Sequence, residues 1–570
     1  MAITPPTERS GLLKPSRWED SSSDSVSLSS ESLSDATVQD VEDAIQDASD
    51  DGRVVISRRH VANTISVLLT GIFVAQAAGS MVMATYPLIA SEFDDLANAS
   101  WLITSHSLAA AATQPLYGKL SDVYGRKPMI LIAYVLFAVG SLIVGMGQTM
   151  WQIHLGRVIS GAGASGMTVL VSILITDLIP LRDVAQWRSY VNIVATTGRS
   201  LGGPLGGWLA DVVGWRWSFF GQVPVVIVSI ILCAIALPNS TTKKDQEDQE
   251  PKTHWQQLQR IDFKGTITFT MMILAFLLPT ELGGKHFPWS HPVIISLFAG
   301  SGGLLALFIW VEKRAAEPII PLEIFHKKDA VLSYAVCSLQ SAAQVGMMFS
   351  VPLYFQVTAR TSNAEAGAHL MPAVVGNAFG GLLSGALIKR SGRYKVLGVF
   401  ATLFSCASYL LLMLRWHGNT NWWESLYITP GGFGAGVVQS VFFIALQLAI
   451  DPAHMAPAVA MMYLSNTVAM MVGIVSAHAV MQQFLASSLS QRLLSLGLEA
   501  AEREAVMDKA VADLGYVAGS KGRLRAAIVG GYVDGLWWSH DIDGHWTDEV
   551  HFWFVDIVAK FLDRQFQIGK

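Results

Sequence analysis

From residue 60 to 486 the chain is a succession of long apolar blocks separated by short charged interruptions, whereas residues 1–59 are polar and acidic. A bilayer core of about 30 Å takes about 20 apolar residues per crossing helix. By that ruler thirteen spans are predicted, near 62–90, 100–118, 128–147, 152–178, 189–212, 216–237, 263–283, 291–312, 331–357, 364–388, 396–414, 424–450 and 455–486. Past 487 the chain turns polar. Weak apolar stretches remain at 525–538 and 552–562, the second broken by Asp556 and Lys560. The expected class is an all-α polytopic membrane protein with 13–14 spans.

The pattern divides the chain into a disordered cytoplasmic tail (1–59), a six-helix unit (60–238), a cytoplasmic loop (239–262), a helix pair with its loop (263–329), a second helical unit (330–490), and a non-cytoplasmic loop with an atypical last span (491–570). Composition agrees: 51% of residues are hydrophobic and 15% charged, against about a quarter charged in soluble domains. One soluble core is excluded. The net charge of −5 says little, because the charges sit in loops.

Their distribution says more. Lys119, Arg126, Lys127, Arg182 and Arg188 fall between spans on one side, as do the basic residues of 243–264, 313–328 and 389–395. The opposite short connectors hold only Arg216, Lys285, Arg360 and Arg415. Basic loops stay cytoplasmic, so that side and the N-terminus are expected there. Cys233, Cys337 and Cys406 each lie in an apolar block, as small packing residues and not as a disulfide or zinc framework. The N-terminus reads Met-Ala-Ile-Thr-Pro-Pro and then Ser-rich acid, with no cleavable signal peptide. Glu8 to Leu13 looks like an acidic dileucine address, in which Leu12 and Leu13 would meet a sorting adaptor.

The strongest local motif is Gly118-Lys119-Leu120-Ser121-Asp122-Val123-Tyr124-Gly125-Arg126-Lys127-Pro128, between spans two and three. Gly118 and Gly125 allow close backbone approach, Asp122 can pair with Arg126, and Pro128 suits a helix start. The loop matches the G-x-L-x-D-x-x-G-R-K signature of the major facilitator superfamily, and the chain resembles that family. The resemblance implies two six-helix halves rocking about a central cavity, with Gly118, Asp122, Gly125, Arg126 and Lys127 as a conformational latch. A weaker echo, Gly385 to Lys395, lacks the acid and fits a duplicated unit. The pair at 263–283 and 291–312 would be an insert, a 6 + 2 + 6 plan resembling the fourteen-span drug:proton antiporter branch.

Two further stretches carry charge inside spans. Span four holds Arg157 before Gly161 and Gly163. An intramembrane Arg is costly; it either snorkels outward or faces the cavity, and the family's span-four Arg–Gly pattern implies the cavity. Span five reads Gly198-Arg199-Ser200-Leu201-Gly202-Gly203-Pro204-Leu205-Gly206-Gly207, which resembles the family's antiporter motif with Pro204 shifted by one position. Its small residues are otherwise a tight packing face, and Arg199, near mid-span, needs a polar cavity or a partner. The stretch from Trp101 to Trp217 also resembles the fungal multidrug and vacuolar basic amino acid subgroup, through Ser100-Trp101, Asp177 to Asp183 and Gly214-Trp215-Arg216-Trp217. One departure is Ala78, where the branch carries an Asp in span one.

Other polar residues within spans are cavity or helix–helix candidates: Gln76, His106, Gln114, Asn192, Gln340, Gln344, Asn377, Gln439, Asn466 and His478. His106 can change charge near neutral pH. No phosphate-binding loop, nucleophile–base pattern, metal spacing or nucleic-acid-binding basic domain is found, so the chain is read as no enzyme and as needing no cofactor beyond a proton gradient. The expected function is proton-linked antiport of an organic solute by a monomer in the vacuolar or plasma membrane. Drug or metabolite efflux, vacuolar uptake of basic amino acids and a non-transporting sensor all stay open. Arg157 and Arg199 without a mid-span carboxylate favour an anionic or neutral polar ligand over a cationic one. Tags placed in the connectors after 118 and after 147 are expected to react from opposite faces of a sealed vesicle; labelling of both from one face would refute the topology.

Overall fold

The computed structural model describes residues 58–93, 101–237, 262–283, 287–315, 318–361, 363–391, 394–512 and 514–538. The Leu12–Leu13 motif, the stretch at 552–562 and almost all of the 239–262 loop lie outside them. Each predicted span is a helix: α1 Arg58–Glu92, α2 Trp101–Tyr124, α3 Arg126–Met146, α4 Met150–Leu178, α5 Leu181–Val212 and α6 Gln222–Ala236, the last preceded by a turn at Arg216–Phe220. The inserted pair is α7 Phe263–Leu282 and α8 Pro292–Glu312. The second unit is α9 Lys328–Ala359, α10 Met371–Ser391, α11 Lys395–Arg415, α12 Thr429–Ala449 and α13 Met455–Ser495. A further helix, α14, covers 522–538.

Local chemistry sets several starts. The Thr149 side chain accepts a hydrogen bond from the Gln152 backbone at the head of α4, and Asp262 does the same for Gly265 at the head of α7. Pro292 opens α8, where its missing N–H costs nothing. Among the described residues, ten helices are each long and apolar enough to cross a membrane. The other three predicted spans, α2, α5 and α9, are 24 to 32 residues long. They carry much of the chain's intramembrane polarity, including His106, Gln114, Arg199, Gln340 and Gln344.

The two units are built alike. In the first, α1 packs on α5, and α4 on both α2 and α3. In the second, α9 packs on α13, and α12 on both α10 and α11. The units meet through two matching junctions, α2 on α13 and α5 on α10. Exchanging the units turns one junction into the other, the sign of a duplicated helical unit. The pair α7–α8 docks at one edge of the α2–α13 junction, where Phe269, Ile273 and Leu277 meet Leu108, Ala111 and Leu464.

Within each unit the helices touch through glycine. A methyl group at Gly163 would lie 2.4 Å from the Phe137 backbone nitrogen, and one at Gly436 would lie 2.1 Å from the Asn377 carbonyl oxygen. Without a strong hydrophobic drive between helices in lipid, such close backbone contact supplies much of the association.

At the end of the bundle away from the Gly118–Pro128 loop, the chain is more elaborate than its polarity suggests. Helix α13 has 41 residues and a length of about 61 Å, twice the bilayer core. Its last turns form a cap with Ala500–Ala512, Leu514–Gly519 and α14. Gly531 of α14 lies against Leu489, and Gly535 against Met481 and Leu485. Arg492 pairs with Asp534 at 2.8 Å, and Arg525 donates to the Val357 and Thr358 carbonyls that end α9. The stretch 525–538 is therefore a helix lying along the projecting part of α13. Only its last turns reach the bundle, where Val533 and Leu536 join a cluster of α9 and α11 side chains and Trp537 donates to the Met413 carbonyl. Helices α9 and α11 are the counterparts of α1 and α3, which hold α6.

Gly202→Leu is expected to destabilise the protein by about 1–3 kcal/mol through overpacking, because even a Cβ there meets the Ala77 carbonyl oxygen at 2.4 Å. Gly207→Leu, at a site with nothing within 4 Å, is expected to leave stability unchanged. Thermal unfolding of the two purified variants checks the contrast.

Candidate functional site

The Gly118–Pro128 loop between α2 and α3 closes around one guanidinium. Arg126 is buried. Its Nε donates to Asp177 at 2.8 Å, and its Nη1 to Asp122 at 2.7 Å and to Ser121. Desolvation works against its charge, but Asp177 and Asp122 together hold the guanidinium above its ordinary pKa. Burial raises the Asp122 carboxyl, and Arg126 opposes that shift. Gly125 supplies the turn with φ of 87°, a conformation that side chains rarely adopt. Lys127 donates at 2.8 Å to the Leu237 carbonyl at the end of α6, where a cation suits the helix dipole. Gly118 rests on the other unit: a Cβ there would be 3.0 Å from the Ala456 carbonyl and from Ala460 of α13.

The echo in the second unit mirrors this. Gly385 of α10 sits against Gln186 and Ser189 of α5, and Lys389 pairs with Asp183 at 2.8 Å. The missing acid of that motif is thus replaced by an acid from the opposite unit.

Above these contacts a polar seam continues between the units. Asn192 donates to Asn377 at 2.6 Å, with Thr196 on the same oxygen at 3.3 Å. Ser189 reaches the Gly381 carbonyl and Ser440, and Gln114 pairs with Thr467 at 3.1 Å. Arg188 donates to Ser172 and to the Tyr463 hydroxyl, both at 2.7 Å, and its guanidinium lies 4.0 Å from the centre of the Phe443 ring. All these bonds lie in the part of the bundle nearer Asp122. The two units are joined there as one block.

The sequence-derived candidates divide between seam and interior. Gln114 is at the seam, as are Asn192 and Asn377. Arg199 is partly buried and has an Nε with no hydrogen-bond partner. Arg157 is placed differently: buried at 2% exposure, it donates to the Leu102 carbonyl at 2.8 Å and binds α4 to α2 inside the first unit. His106 lies beside it, 3.4 Å from Ser160. The antiporter-like motif resolves into a packing face. Gly198, Gly202 and Gly206 meet Phe73, Ala77 and Met81 of α1, with Gln76 beside Gly198, while Gly203, Gly207 and the exposed Pro204 stand clear. Ala78 is buried in the same contact.

Two assignments were not reached from sequence. Asp177 was legible only as an acid near a span end, and its pairing with Arg126 depends on the α3–α4 crossing. Arg188 reads as a loop charge, but α5 begins at Leu181 and takes Arg188 inside the bundle, at 5% exposure. Its signal is the helical register: Arg188, Asn192, Ala195 and Arg199 share one face of α5.

Two duplicated helical units joined by breakable polar contacts define a secondary transporter of the alternating-access type. Residues 68–474 match the family model of the Major Facilitator Superfamily, and the chain belongs to that family. It is 30% identical over 439 residues to the vacuolar membrane amino acid uptake transporter fnx2 of Schizosaccharomyces pombe, covering 77% of this chain and 75% of that protein. The multidrug resistance protein fnx1 of the same yeast is 31% identical over 433 residues, 75% and 80% of the two chains. Vacuolar basic amino acid transporter 2 of Saccharomyces cerevisiae is 26% identical over 434 residues, 75% and 91%. Among solved structures, the proton:xylose symporter XylE shares the fold, with a TM-score of 0.53, 14% identity, and 74% and 88% of the two chains covered. The chain is an integral multi-pass membrane transporter and not an enzyme.

Asp177→Asn and Asp122→Asn each remove one charged hydrogen bond from Arg126. Each is expected to cut transport by about tenfold or more while leaving membrane insertion intact. Flux and surface-labelling assays on the same vesicles check this; wild-type flux in both variants would remove the latch role.

Proposed function

We propose that this transporter exchanges protons for an organic solute and clears that solute from the cytosol, across the plasma membrane or into the vacuole, with the Gly118–Pro128 loop and the N-terminus on the cytosolic side. The observation that carries the reading is the arrangement of the inter-unit contacts. The Lys389–Asp183 pair, the Gly118–Ala456 contact and the Asn192–Asn377 bond all gather toward one end, beside the Arg126 cluster of the first unit. A structure closed there by separable polar contacts is poised to open on that side and load from it. The motif-free energetics support ion coupling: no nucleotide-binding loop is present in the sequence, so a gradient must drive uphill movement. The names of similar proteins support a solute leaving the cytosol: fnx1 is a multidrug resistance protein, and dotC of Dothistroma septosporum, 28% identical over 440 residues, is an efflux pump.

A second reading, vacuolar uptake of amino acids, is favoured by the names of fnx2 and of vacuolar basic amino acid transporter 2. Against cationic amino acids stands the lack of any Asp or Glu in the middle of a span. The absence of the span-one Asp at Ala78 keeps a non-transporting sensor in view. Sealed vesicles carrying the protein, loaded with a panel of drugs, metabolites and amino acids, are expected to show solute movement that rises severalfold with an opposing pH gradient and collapses with a protonophore. Saturable binding with no flux at any gradient would favour the sensor; gradient-driven uptake of Lys or Arg would favour the second reading.

A further inference from the structure

We infer that the seam lined by Arg188 and Arg199 is a binding site for an organic carboxylate, with the Tyr463 hydroxyl beside Arg188. This deepens the transporter reading and rests on it. The two arginines are eleven residues apart, close to three helical turns, so they stand on one face of α5 about 16 Å apart along the axis. Arg188 donates to the Tyr463 hydroxyl of α13 at 2.7 Å, and Arg199 stands further along the same helix face with a buried Nε that has no hydrogen-bond partner. The residues between them on that face are Asn192, Ala195 and Thr196; Asn192 and Thr196 bond Asn377 of α10, contacts that part when the units separate.

Charge is what makes this stretch unusual. Two guanidiniums enter an apolar bundle, and among the described residues no carboxylate lies within ion-pair distance of either. Their neighbours are neutral: Ser172, Tyr463, and the Phe443 ring. Arg188 Nε and Arg199 Nε are both buried without a hydrogen-bond partner. A buried cation without a counter-charge carries a large desolvation cost. An anion entering the seam would supply the missing charge and accept from the unpartnered N–H groups. An ammonium would add a third positive charge and find no acid to meet it. Guanidinium geometry suits the two oxygens of a carboxylate. Because α5 belongs to one unit and Tyr463 to the other, the bound anion would touch both sides of the moving interface, which is what alternating access asks of a substrate.

The test uses the purified full-length protein and three probes on one aromatic skeleton: an arylcarboxylate, its neutral amide and the matching arylmethylammonium, in one-, two- and three-ring sizes. Binding is read by thermal shift and flux in proteoliposomes. The carboxylate is expected to bind about tenfold or more tighter than both partners in at least one size, and Arg199→Gln to erase that preference, the scale of losing one charged hydrogen bond. Arg199→Lys should retain part of it. If Arg199→Gln does not fold, Tyr463→Phe, which keeps the ring, is expected to weaken carboxylate binding alone. Equal binding of the three probes, preference for the ammonium, or no binding at any size would overturn the anion site while leaving gradient-driven flux of other solutes intact. Selective carboxylate binding without flux would uphold the site and remove the transport reading.

Discussion

A charge inside an apolar bundle has to be matched, and the structure depends on where that matching is done. Arg126 is matched by two carboxylates from helix ends in its own unit, and Asp183 by a lysine from the opposite unit. Both groups lie at one end of the molecule, where the polypeptide turns and water is near. Deeper in the seam, Arg188 faces Ser172, the Tyr463 hydroxyl and the Phe443 ring, and Arg199 keeps a buried Nε without a hydrogen-bond partner. The bundle thus has a neutralised end and an unneutralised middle. The first suits a joint that opens and shuts; the second suits a site that waits for something to fill it.

Such a joint is useful only if the bodies it connects are stiff. The glycine contacts provide that. Gly198, Gly202 and Gly206 press α5 onto α1, Gly163 presses α4 onto α3, and Gly436 presses α12 onto α10, each at distances where backbone meets backbone. Close-packed helices of this kind do not deform smoothly. The inter-unit contacts add side-chain hydrogen bonds and ion pairs that can be exchanged for water one at a time, and their glycine contacts, Gly118 on Ala456 and Gly385 on Gln186, are looser, with 3.0 Å as the closest approach. Motion between the units therefore costs less than motion within them.

Much of this was legible in the sequence because it rests on local signals. Apolar block length gave the thirteen helices, though α5 begins eight residues before the predicted 189 and α13 runs nine past 486, and the Gly118 to Pro128 spacing gave the Asp122–Arg126 pair, since four residues apart across a helix end is a contact distance. What was not legible depends on how helices cross. Asp177 meets Arg126 only because α4 returns alongside α3. Arg157 fits the pattern of a cavity residue, yet it faces α2, because the cavity side of α4 is fixed by packing and not by the motif. The antiporter-like glycines carry different roles under one pattern, Gly198, Gly202 and Gly206 pressed on α1, Gly203 only grazing it and Gly207 open, and a string of letters cannot separate the faces. Arg188 was hidden by its nearness to a helix start, where a basic residue is ordinarily a solvated one.

Helix α13 passes without a break from the Ala456–Gly118 contact to the cap formed with α14. It is a single rod of about 61 Å, fastened at its base to the first unit and carrying at its tip the small cap built with α14. A rod of that length works as a pointer. A tilt of about 10° at the base would sweep the tip sideways by about 10 Å, since displacement grows with distance from the pivot. Events at the Asp122 end would thereby be written, enlarged, on the opposite surface of the membrane.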